Sequence, residues 1–417
     1  MRFFKKIEPL ETKEFYIPDS IISLTLPNEI VDLHSFILYY TGIASHYYRT
    51  TTNVITKRFF PRLSASVINE LIIEIDGQTK QYTREYGYLY NCLNDIRNEY
   101  DDIQGTAFDT IQQHKIDING DIINTCKYRA SIDTQETTDD FFINKWLGFL
   151  NEGNQYFDAR NKNVKITIKL ASSSILYNGV NTSGAFTIAE EYPRNYKLTN
   201  VYATIYTVDD EPSINKEFFY ENYMTVKGLI CKDSKSTTMS CVIEQPVVWS
   251  MGVFMPINQH IESELVLQHA NTDITKYGGL MKDTVTIGNY NAKIPVDLLY
   301  SYDVSRFQKD PYLLNNSLYF NRDGLNVKNT KWRVNSYDIT PYMNMSSILN
   351  ETKRVFNSEY KRVISLQSFE ANFFVNAVEI DDMTFSYKNI EWEVLNDPFK
   401  FNSGGNPYLY TCVLSKL

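Results

Sequence analysis

The chain has 417 residues, a formal net charge of −9 and 43% hydrophobic residues. This length exceeds what one ordinary core holds, so we expect two domains of about 200 residues or one elaborated β-domain. The composition is that of a folded protein rather than a disordered one. The acidic balance argues against nucleic acid as the main partner, because phosphate binding needs clustered Lys and Arg.

The N-terminus opens with a short basic cluster, which consists of Arg2, Lys5 and Lys6. Chain ends are commonly solvated unless a strand or helix ties them down. We therefore predict a solvated N-terminal tail and no specific nucleic-acid site.

Strand-like segments dominate the rest of the chain. Ile21–Leu26 stops at Pro27, and Val164–Leu170 alternates apolar with polar residues, as a strand with one wet face does. Val201–Val208 is rich in β-branched and aromatic residues, and Cys241–Met255 is similar but is divided by Pro246. Further strands are predicted at Thr284–Ile287, Phe373–Ile380 and Ile390–Leu395.

The segment Val67–Ile75 also alternates. Val67, Leu71, Ile73 and Ile75 share one predicted face, while Ile68 and Ile72 share the other with Glu70 and Glu74. We therefore predict a strand in a sheet whose outer side is partly covered.

Turns and a few helices separate these strands. The dipeptides Asp76-Gly77, Asn119-Gly120, Asn178-Gly179 and Asp323-Gly324 are typical of tight hairpins. Apolar spacing predicts three helices, at Tyr88–Tyr100, at Ser347–Val363 with Ser346 or Ser347 as its cap, and at Asp140–Leu150. Few helices among many strands indicate a mainly-β sandwich.

An internal echo suggests a duplicated domain. Asn200–Ile205 and Asn389–Val394 both follow a Tyr-Lys lead-in and lie about half a chain apart. If each copy ends one domain, the boundary falls near residue 212, in the acidic stretch Asp209–Pro212. The predicted domains are therefore 1–212 and 213–417.

Motifs for nucleotide binding and nucleophilic catalysis do not occur in the sequence. It contains neither a G-x-x-x-x-G-K-[ST] or G-x-G-x-x-G phosphate loop nor a G-x-S-x-G elbow. The tripeptide HIE at 260–262 begins like a zinc-deaminase motif but lacks the P-C-x-x-C half.

One segment matches the beginning of a calcium-binding loop but not the rest of it. Asp117, Asn119 and Asp121 match its opening, but Ile122 and Tyr128 occupy the required glycine and glutamate positions. We therefore expect no catalytic, cofactor-binding or metal-binding residues, no cofactor, and no enzyme.

Four blocks of sequence carry a resemblance to a known family. They are Phe59–Gly77, Tyr86–Ile96, Val164–Gly179 and Tyr196–Asp210, all in the first half of the chain. In these blocks the chain resembles the double jelly-roll major capsid proteins of the adenovirus, tectivirus and polinton-like virus lineage. The second half fits only in length and β-character.

The resemblance implies a fold and a structural role. It implies two antiparallel jelly-roll β-sandwiches in tandem, with a few short helices in the connecting loops. It also implies a virion capsid subunit that forms homotrimers of pseudo-hexagonal outline tiling an icosahedral shell. Neighbouring capsomers and minor capsid (penton) proteins would be its partners, and Tyr302–Tyr319 would be an interface loop. The N-terminus would be the first candidate for contact with the genome or an inner membrane.

Two alternatives remain open at this stage. One is a single jelly-roll capsid or spike protein with a large insertion or an unrelated second domain. The other is a β-sandwich carbohydrate-binding or carbohydrate-cleaving protein, with Tyr47 and Tyr48, or Tyr86, Tyr88 and Tyr90, as sugar platforms. A duplicated sandwich would favour the double jelly roll, whereas the carbohydrate protein usually carries a secretion signal, and no apolar run follows the charged first residues.

Overall fold

The computed structural model describes most of the strands that the sequence predicts. The described residues are 1–45, 47–49, 54–59, 64–97, 114–116, 122–124, 136–172, 175, 177–183, 196–209, 217–228, 235–256, 281–287, 290–295, 327–356, 374–396 and 405–417. The predicted turns at 119–120 and 323–324, and the loop 302–319, lie outside them.

The first half of the chain contains fourteen described strands and one described α-helix, α1 (Tyr86–Arg97). The strands are β1 (Arg2–Ile7), β2 (Ile21–Thr25), β3 (Ile30–Ser45), β4 (Tyr47–Arg49), β5 (Val54–Phe59), β6 (Ile68–Ile75), β7 (Gln78–Arg84), β8 (His114–Ile116), β9 (Ile122–Asn124), β10 (Glu136–Ile143), β11 (Tyr156–Asp158), β12 (Val164–Leu170), β13 (Tyr177–Ser183) and β14 (Tyr196–Val208). Helix α1 begins two residues before the predicted start, and the last three residues of the predicted helix lie outside the described ones.

The second half contains ten described strands and the helix α2 (Met345–Val355). The strands are β15 (Phe219–Lys227), β16 (Ser236–Ile243), β17 (Val247–Pro256), β18 (Met281–Ile287), β19 (Tyr290–Pro295), β20 (Val327–Val334), β21 (Tyr337–Asp338), β22 (Phe374–Asp382), β23 (Lys388–Asn396) and β24 (Gly405–Lys416). Pro246 lies in the turn between β16 and β17, as predicted.

Each half contains two antiparallel sheets that enclose a core, and each of these sheets has four strands in its main order. In the first half β11 also pairs with β3, so that sheet has five strands. In the first half the orders are β1-β14-β3-β10 and β2-β12-β6-β7, and in the second half β15-β24-β17-β22 and β16-β23-β20-β21. We number the eight strands in these orders from 1 to 8 along the chain, separately in each half. The strand orders of the two sheets are then 1-8-3-6 and 2-7-4-5 in both halves. This is the jelly-roll arrangement, present twice. The alternative of a single jelly roll with an unrelated second domain is therefore wrong.

The domain is duplicated, but the two similar sequence segments that suggested the duplication lie in strands that are not topological counterparts. Residues 200–205 lie in β14, the eighth strand of the first sandwich, whereas residues 389–394 lie in β23, the seventh strand of the second. The topological counterpart of β14 is β24. The predicted boundary at 212 falls within 210–216, outside the described residues, and stays a prediction.

Alternation is a good guide where the strand is regular and a poor one at a bulge. In β12 the four apolar residues predicted to share a face are all buried. In β6 the pairing with β12 shifts register next to Leu170, which opposes Ile68. The shift turns Ile68, predicted on the outer face, into the core, where it is buried.

Three local predictions are wrong. Asp140–Leu150 is not a helix: β10 runs to Ile143, and a single 3-10 turn follows at Gly148–Leu150. Asn178-Gly179 is a bulge within β13 rather than a hairpin turn. The cap of α2 is Asn344, whose side chain accepts a hydrogen bond from Ser347 N at 3.1 Å, rather than Ser346 or Ser347.

Both sandwiches have a turn end and a loop end. At the turn end the strands are joined by the tight connections 26–29, 76–77, 244–246, 335–336 and 383–387. The longer connections, from β7 to β10, from β12 to β14 and from β17 to β20, leave from the opposite end, which we call the loop end. At 76–77 the hairpin is tight because Asp76 and Gly77 both adopt positive φ, 52° and 78°.

The two sandwiches stand the same way up. Strands β7 and β15 lie beside each other, and the Lys80 carbonyl, near the start of β7, accepts from the Tyr220 hydroxyl at 2.8 Å and from Asn222 Nδ2 at 3.1 Å. Beyond the far end of β7, Glu85 pairs with Lys227, the last residue of β15, at 3.5 Å. The two strands therefore run in the same direction, and both turn ends lie on one side of the molecule.

Candidate functional site

The residues that the structure describes form no cluster of metal-ligating side chains. Among them, no three His, Cys, Asp or Glu side chains come together in a way that could hold a metal ion. The rejected zinc and calcium motifs, 260–262 and 117–121, lie outside the described part of the chain. The described helices also include none that is long and apolar enough to cross a membrane.

The proposed sugar platform is also not formed by the tyrosines that the structure describes. Tyr86 and Tyr90, at the start of α1, are buried in the core, and Tyr88 is half-buried. The Tyr86 hydroxyl accepts a hydrogen bond from Leu147 N at 2.9 Å, so it serves packing rather than ligand binding. Nothing is described of the Tyr47 and Tyr48 side chains.

The most extensive site is the junction between the two sandwiches. Residues 152–154, in the connection between β10 and β11, lie along the open edge of β15. Asn154 N donates to Phe219 O at 3.1 Å, Phe219 N donates to Asn154 Oδ1 at 2.7 Å, and Glu221 N donates to Glu152 O at 2.7 Å. A chain segment from the first sandwich thus covers the edge strand of the second, which would otherwise present unpaired backbone groups.

Gly153 makes this close approach feasible. A Cβ atom at this position would lie 2.6 Å from Phe219 O and 2.7 Å from Tyr220 Cβ. Any side chain would push the segment away from β15. The sequence shows Gly153 only as part of a polar loop, so nothing local indicates this role.

A carboxylate holds the junction at the loop end of β7. Glu85 accepts a hydrogen bond from the Tyr408 hydroxyl at 3.2 Å and pairs with Lys227 at 3.5 Å. Burial, and then the charge of Glu85, raises the pKa of Tyr408. Burial likewise raises the pKa of Tyr410, whose hydroxyl points at the Glu85 carbonyl. Both hydroxyls therefore stay protonated and available as donors at neutral pH.

Apolar contacts run through the junction without interruption. The rings of Phe149 and Phe157 from the first sandwich each have their centroid 5.2 Å from that of Phe218. Phe149 also lies edge-on to Tyr220, at 5.4 Å. Tilted and edge-on aromatic pairs at these separations stabilise packing beyond their buried area. The two sandwiches thus share one continuous core cluster.

The prediction of a solvated N-terminal tail is wrong. Residues 2–7 form β1, paired with β14 from Arg2 opposite Val208 to Ile7 opposite Ala203. Arg2 donates to buried Asp32 at 2.7 Å, and Lys5 donates to Glu29 at 2.8 Å. The cations are therefore tied down by carboxylates instead of lying free in solvent.

Exposed apolar side chains of the described residues include two groups on the outer sides of the sandwiches. The turn-end patch of the second sandwich consists of Tyr337, Met383, Phe385 and Tyr387, of which Phe385 is 72% exposed. Asn335 Nδ2 lies 3.5 Å from the Tyr387 carbonyl, which brings the β20–β21 turn beside the connection 383–387. The other surface is on β1, where Phe4 is 61% exposed and stacks edge-on with Tyr206.

Sequence comparison finds no relative for this chain. No protein-family model matches it, and no curated protein matches it.

Structural comparison finds the same fold in viral capsid proteins. The Faustovirus major capsid protein matches over 100% of this chain and 90% of its own, at 9% identity and a TM-score of 0.55. The quasi-atomic model of the PBCV-1 virus capsid matches over 100% and 94%, at 11% identity and a TM-score of 0.52. A PBCV-1 protein fitted into a reconstruction of the virophage Sputnik matches over 100% and 95%, at 10% identity and a TM-score of 0.52.

These likenesses cover the whole chain and agree with the two jelly-roll sandwiches that the described strands form. The prediction of two antiparallel jelly-roll sandwiches in tandem is thereby confirmed.

Proposed function

We propose that this chain is a viral major capsid protein, a structural subunit of a virion shell. The observation that carries the proposal is the pair of sandwiches with one strand order, standing the same way up and joined by a buried junction. The structures that share this fold over the length of this chain include the Faustovirus major capsid protein and the PBCV-1 virus capsid. A rigid double unit suits a shell because every copy then offers the same surfaces to its neighbours.

Three copies would form a homotrimer. Its six upright sandwiches would give a pseudo-hexagonal outline, and such trimers would tile an icosahedral shell together with minor capsid (penton) proteins. Each subunit would divide into 1–212 and 213–417, so that each sandwich supplies one side of the hexagon.

The role would be structural, without catalysis or cofactor. The residues that the junction brings together, such as Glu85 and Tyr408, are engaged in holding the sandwiches. Tyr408 has its pKa raised by burial, which suits a hydrogen-bond donor and not a proton-transfer group near neutral pH.

Contact with a genome or an inner membrane would come through the turn end, where β1 begins. Because residues 2–7 form a strand, deleting them would damage the fold, and charge substitution is the better test. The double substitution of Lys5→Gln and Lys6→Gln is expected to lower the nucleic acid or lipid recovered with assembled shells. Unchanged recovery would remove this contact from the proposal.

The mass of the purified protein in solution tests the assembly. We expect light scattering during size exclusion to give three times the chain mass of 48.6 kDa, and negative-stain images to show a pseudo-hexagonal particle. A monomer that persists at high concentration would contradict the proposal, and glycan binding would then be the next measurement.

A further inference from the structure

The contact between the two sandwiches inside one chain offers a template for a contact between chains. Inside the chain, β15, the first strand of the second sandwich, has its open edge covered by the first sandwich. The cover consists of residues 152–154, from the connection between the sixth and seventh strands, and of β7, the fifth strand.

Strand order identifies the same parts at the outer sides of the molecule. The connection between the sixth and seventh strands of the second sandwich is 383–387, and its fifth strand is β21. The first strand of the first sandwich is β1. Within the described residues β1 pairs with β14 alone, so no described strand covers its other edge.

The exposure of the side chains follows this equivalence. At the internal junction the aromatic residues Phe149, Phe218 and Tyr220 are buried. At the outer counterparts large apolar side chains lie in solvent, with Tyr337 80%, Phe385 72%, Phe4 61% and Tyr387 60% exposed. Apolar surface of this kind, clustered at one end of a molecule, is typical of an interaction site.

The two outer surfaces also carry charges of opposite sign, although Arg2, Lys5 and Lys6 each contact a carboxylate of their own chain, Asp32, Glu29 and Glu8. Strand β1 carries Arg2, Lys5 and Lys6, and the Arg2 side chain is 51% exposed although it contacts Asp32. The connection 383–387 directly follows Asp381 and Asp382, and Asp381 is exposed. Opposite charges at the rim of an apolar contact favour one orientation of the partners and one register.

We propose that the turn-end patch of one copy packs against β1 of a second copy, in the way that residues 152–154 and β7 pack against β15 within a chain. This inference rests on the proposed function, because it names the surfaces through which the trimer would close. The contact joins two different surfaces, so it is heterologous, and repetition around an axis parallel to the strands closes a ring. No glycine occurs in 383–387, so this contact relies on the side chains of Met383, Phe385 and Tyr387 rather than on a backbone bridge.

Cysteine cross-linking tests the pairing directly. Two single variants, Phe4→Cys and Phe385→Cys, are purified, mixed under dissociating conditions, returned to assembly conditions and treated with a short bis-maleimide. We expect a covalent dimer whose digest contains a peptide linking positions 4 and 385. Each variant alone is expected to give no link between two introduced cysteines, because the same surface does not meet itself; the digest distinguishes such links from those to the five native cysteines.

A matched control uses the opposite edge of the same sheet. Asp140 is exposed on β10, which lies at the other edge of the sheet from β1. A mixture of Asp140→Cys and Phe385→Cys is expected to give no covalent dimer, although both thiols react with a monofunctional maleimide.

The outcomes separate this inference from the proposed function. A trimer by light scattering without the 4–385 link would overturn the pairing and leave the capsid proposal standing; a minor protein or a membrane would then cover the patch. Cross-linking of Phe385→Cys to itself would also overturn the pairing, since the contact would be isologous. A persistent monomer would remove both.

Discussion

The Tyr408 hydroxyl donates a hydrogen bond to Glu85 Oε1 at 3.2 Å, between residues 323 positions apart in the chain. Glu85 has a positive φ of 50°, in the turn that ends β7, and this turn aims its carboxylate at the second sandwich. Lys227 contacts the same carboxylate at 3.5 Å. One acidic residue of the first sandwich therefore holds the edge strand β15 and its neighbour β24.

Removing the Tyr408 hydroxyl is expected to weaken the junction. Tyr408→Phe keeps the ring and loses the hydrogen bond to a charged acceptor, which costs about 1–2 kcal/mol in the free energy of unfolding because Lys227 still pairs with Glu85. Chemical denaturation measures the change. Tyr387→Phe, at an exposed tyrosine, is the control and should leave the unfolding free energy unchanged; an equal loss in both variants would contradict the role of Glu85.

A methyl group at position 252 is expected to disrupt the core of the second sandwich. Gly252 lies in β17 directly against the indole of Trp392, and a Cβ atom there would overlap the ring. Gly252→Ala should therefore lower the unfolding free energy by about 1–3 kcal/mol or more, as overpacking does.

Gly77→Ala provides the comparison for Gly252→Ala. Gly77 has a φ of 78°, and a Cβ atom there would meet nothing within 4 Å. Its cost should be only the backbone strain of about 1 kcal/mol. If Gly252→Ala lowered the thermal midpoint less than Gly77→Ala, Trp392 and the facing sheet would have moved to accommodate the methyl group, and this prediction would be wrong.

Asn376 is expected to stabilise the fold by accepting hydrogen bonds from two buried tryptophans. Its Oδ1 accepts from Trp332 Nε1 at 2.9 Å and from Trp392 Nε1 at 3.1 Å, and all three residues are fully buried. Asn376→Leu would leave two indole N–H groups without acceptors, at about 1–3 kcal/mol each. Denaturation followed by tryptophan fluorescence should show a lower midpoint, and an unchanged midpoint would mean that the indoles find other acceptors.

Acid is expected to destabilise the turn end of the first sandwich. The Arg160 guanidinium donates to Asp158 at 2.8 and 2.7 Å, and this lowers the pKa of Asp158 from 3.8 to about 2 against the opposing effect of burial. Because the folded pKa lies below the unfolded one, the stabilisation is complete above the unfolded pKa and is lost as pH falls toward about 2.

Thermal unfolding as a function of pH measures this effect. The difference in midpoint between the protein and Asp158→Asn should be largest near neutral pH and should shrink between about pH 4 and pH 2. A difference that stays constant over this range would mean that Asp158 is not protonated on unfolding.

Regular strands with a clear apolar pattern could be predicted from the sequence, and irregular or polar ones could not. The segment 164–170 matches β12 residue for residue, because four apolar side chains alternate with wet ones. Strand β7 has no such pattern, because in QTKQYTR its inward positions include Gln81 and Thr83. Gln81 is buried by bonding to Leu147 O and Phe149 N, partners that only the fold brings near.

The false helix at Asp140–Leu150 has a similar origin. Phe142, Trp146 and Leu150 recur at four-residue spacing, which is typical of a helix. In the structure Phe142 belongs to a strand, while Trp146 follows it and donates to Phe36 O at 3.1 Å. Contacts across more than a hundred residues decide this segment, and a local pattern contains no information about them.

The junction could not be predicted for the same reason. Gly153 and Glu85 look like ordinary loop residues in the sequence, and their roles depend on strands of the other sandwich. The double jelly roll itself could be predicted, because it follows from strand number, chain length and the resemblance of the first half.

Residues 1 and 417 each contact a residue that flanks the connector between the sandwiches. The Met1 amino group lies 3.9 Å from Asp209, and Leu417 N donates to Phe218 O at 2.8 Å. Asp209 and Phe218 flank the connector between the sandwiches, so residues 1 and 417 lie beside the two ends of this connector. A cut within 210–216 would therefore leave each sandwich with a strand of its own at the cut, and the two fragments would be expected to associate through the buried junction.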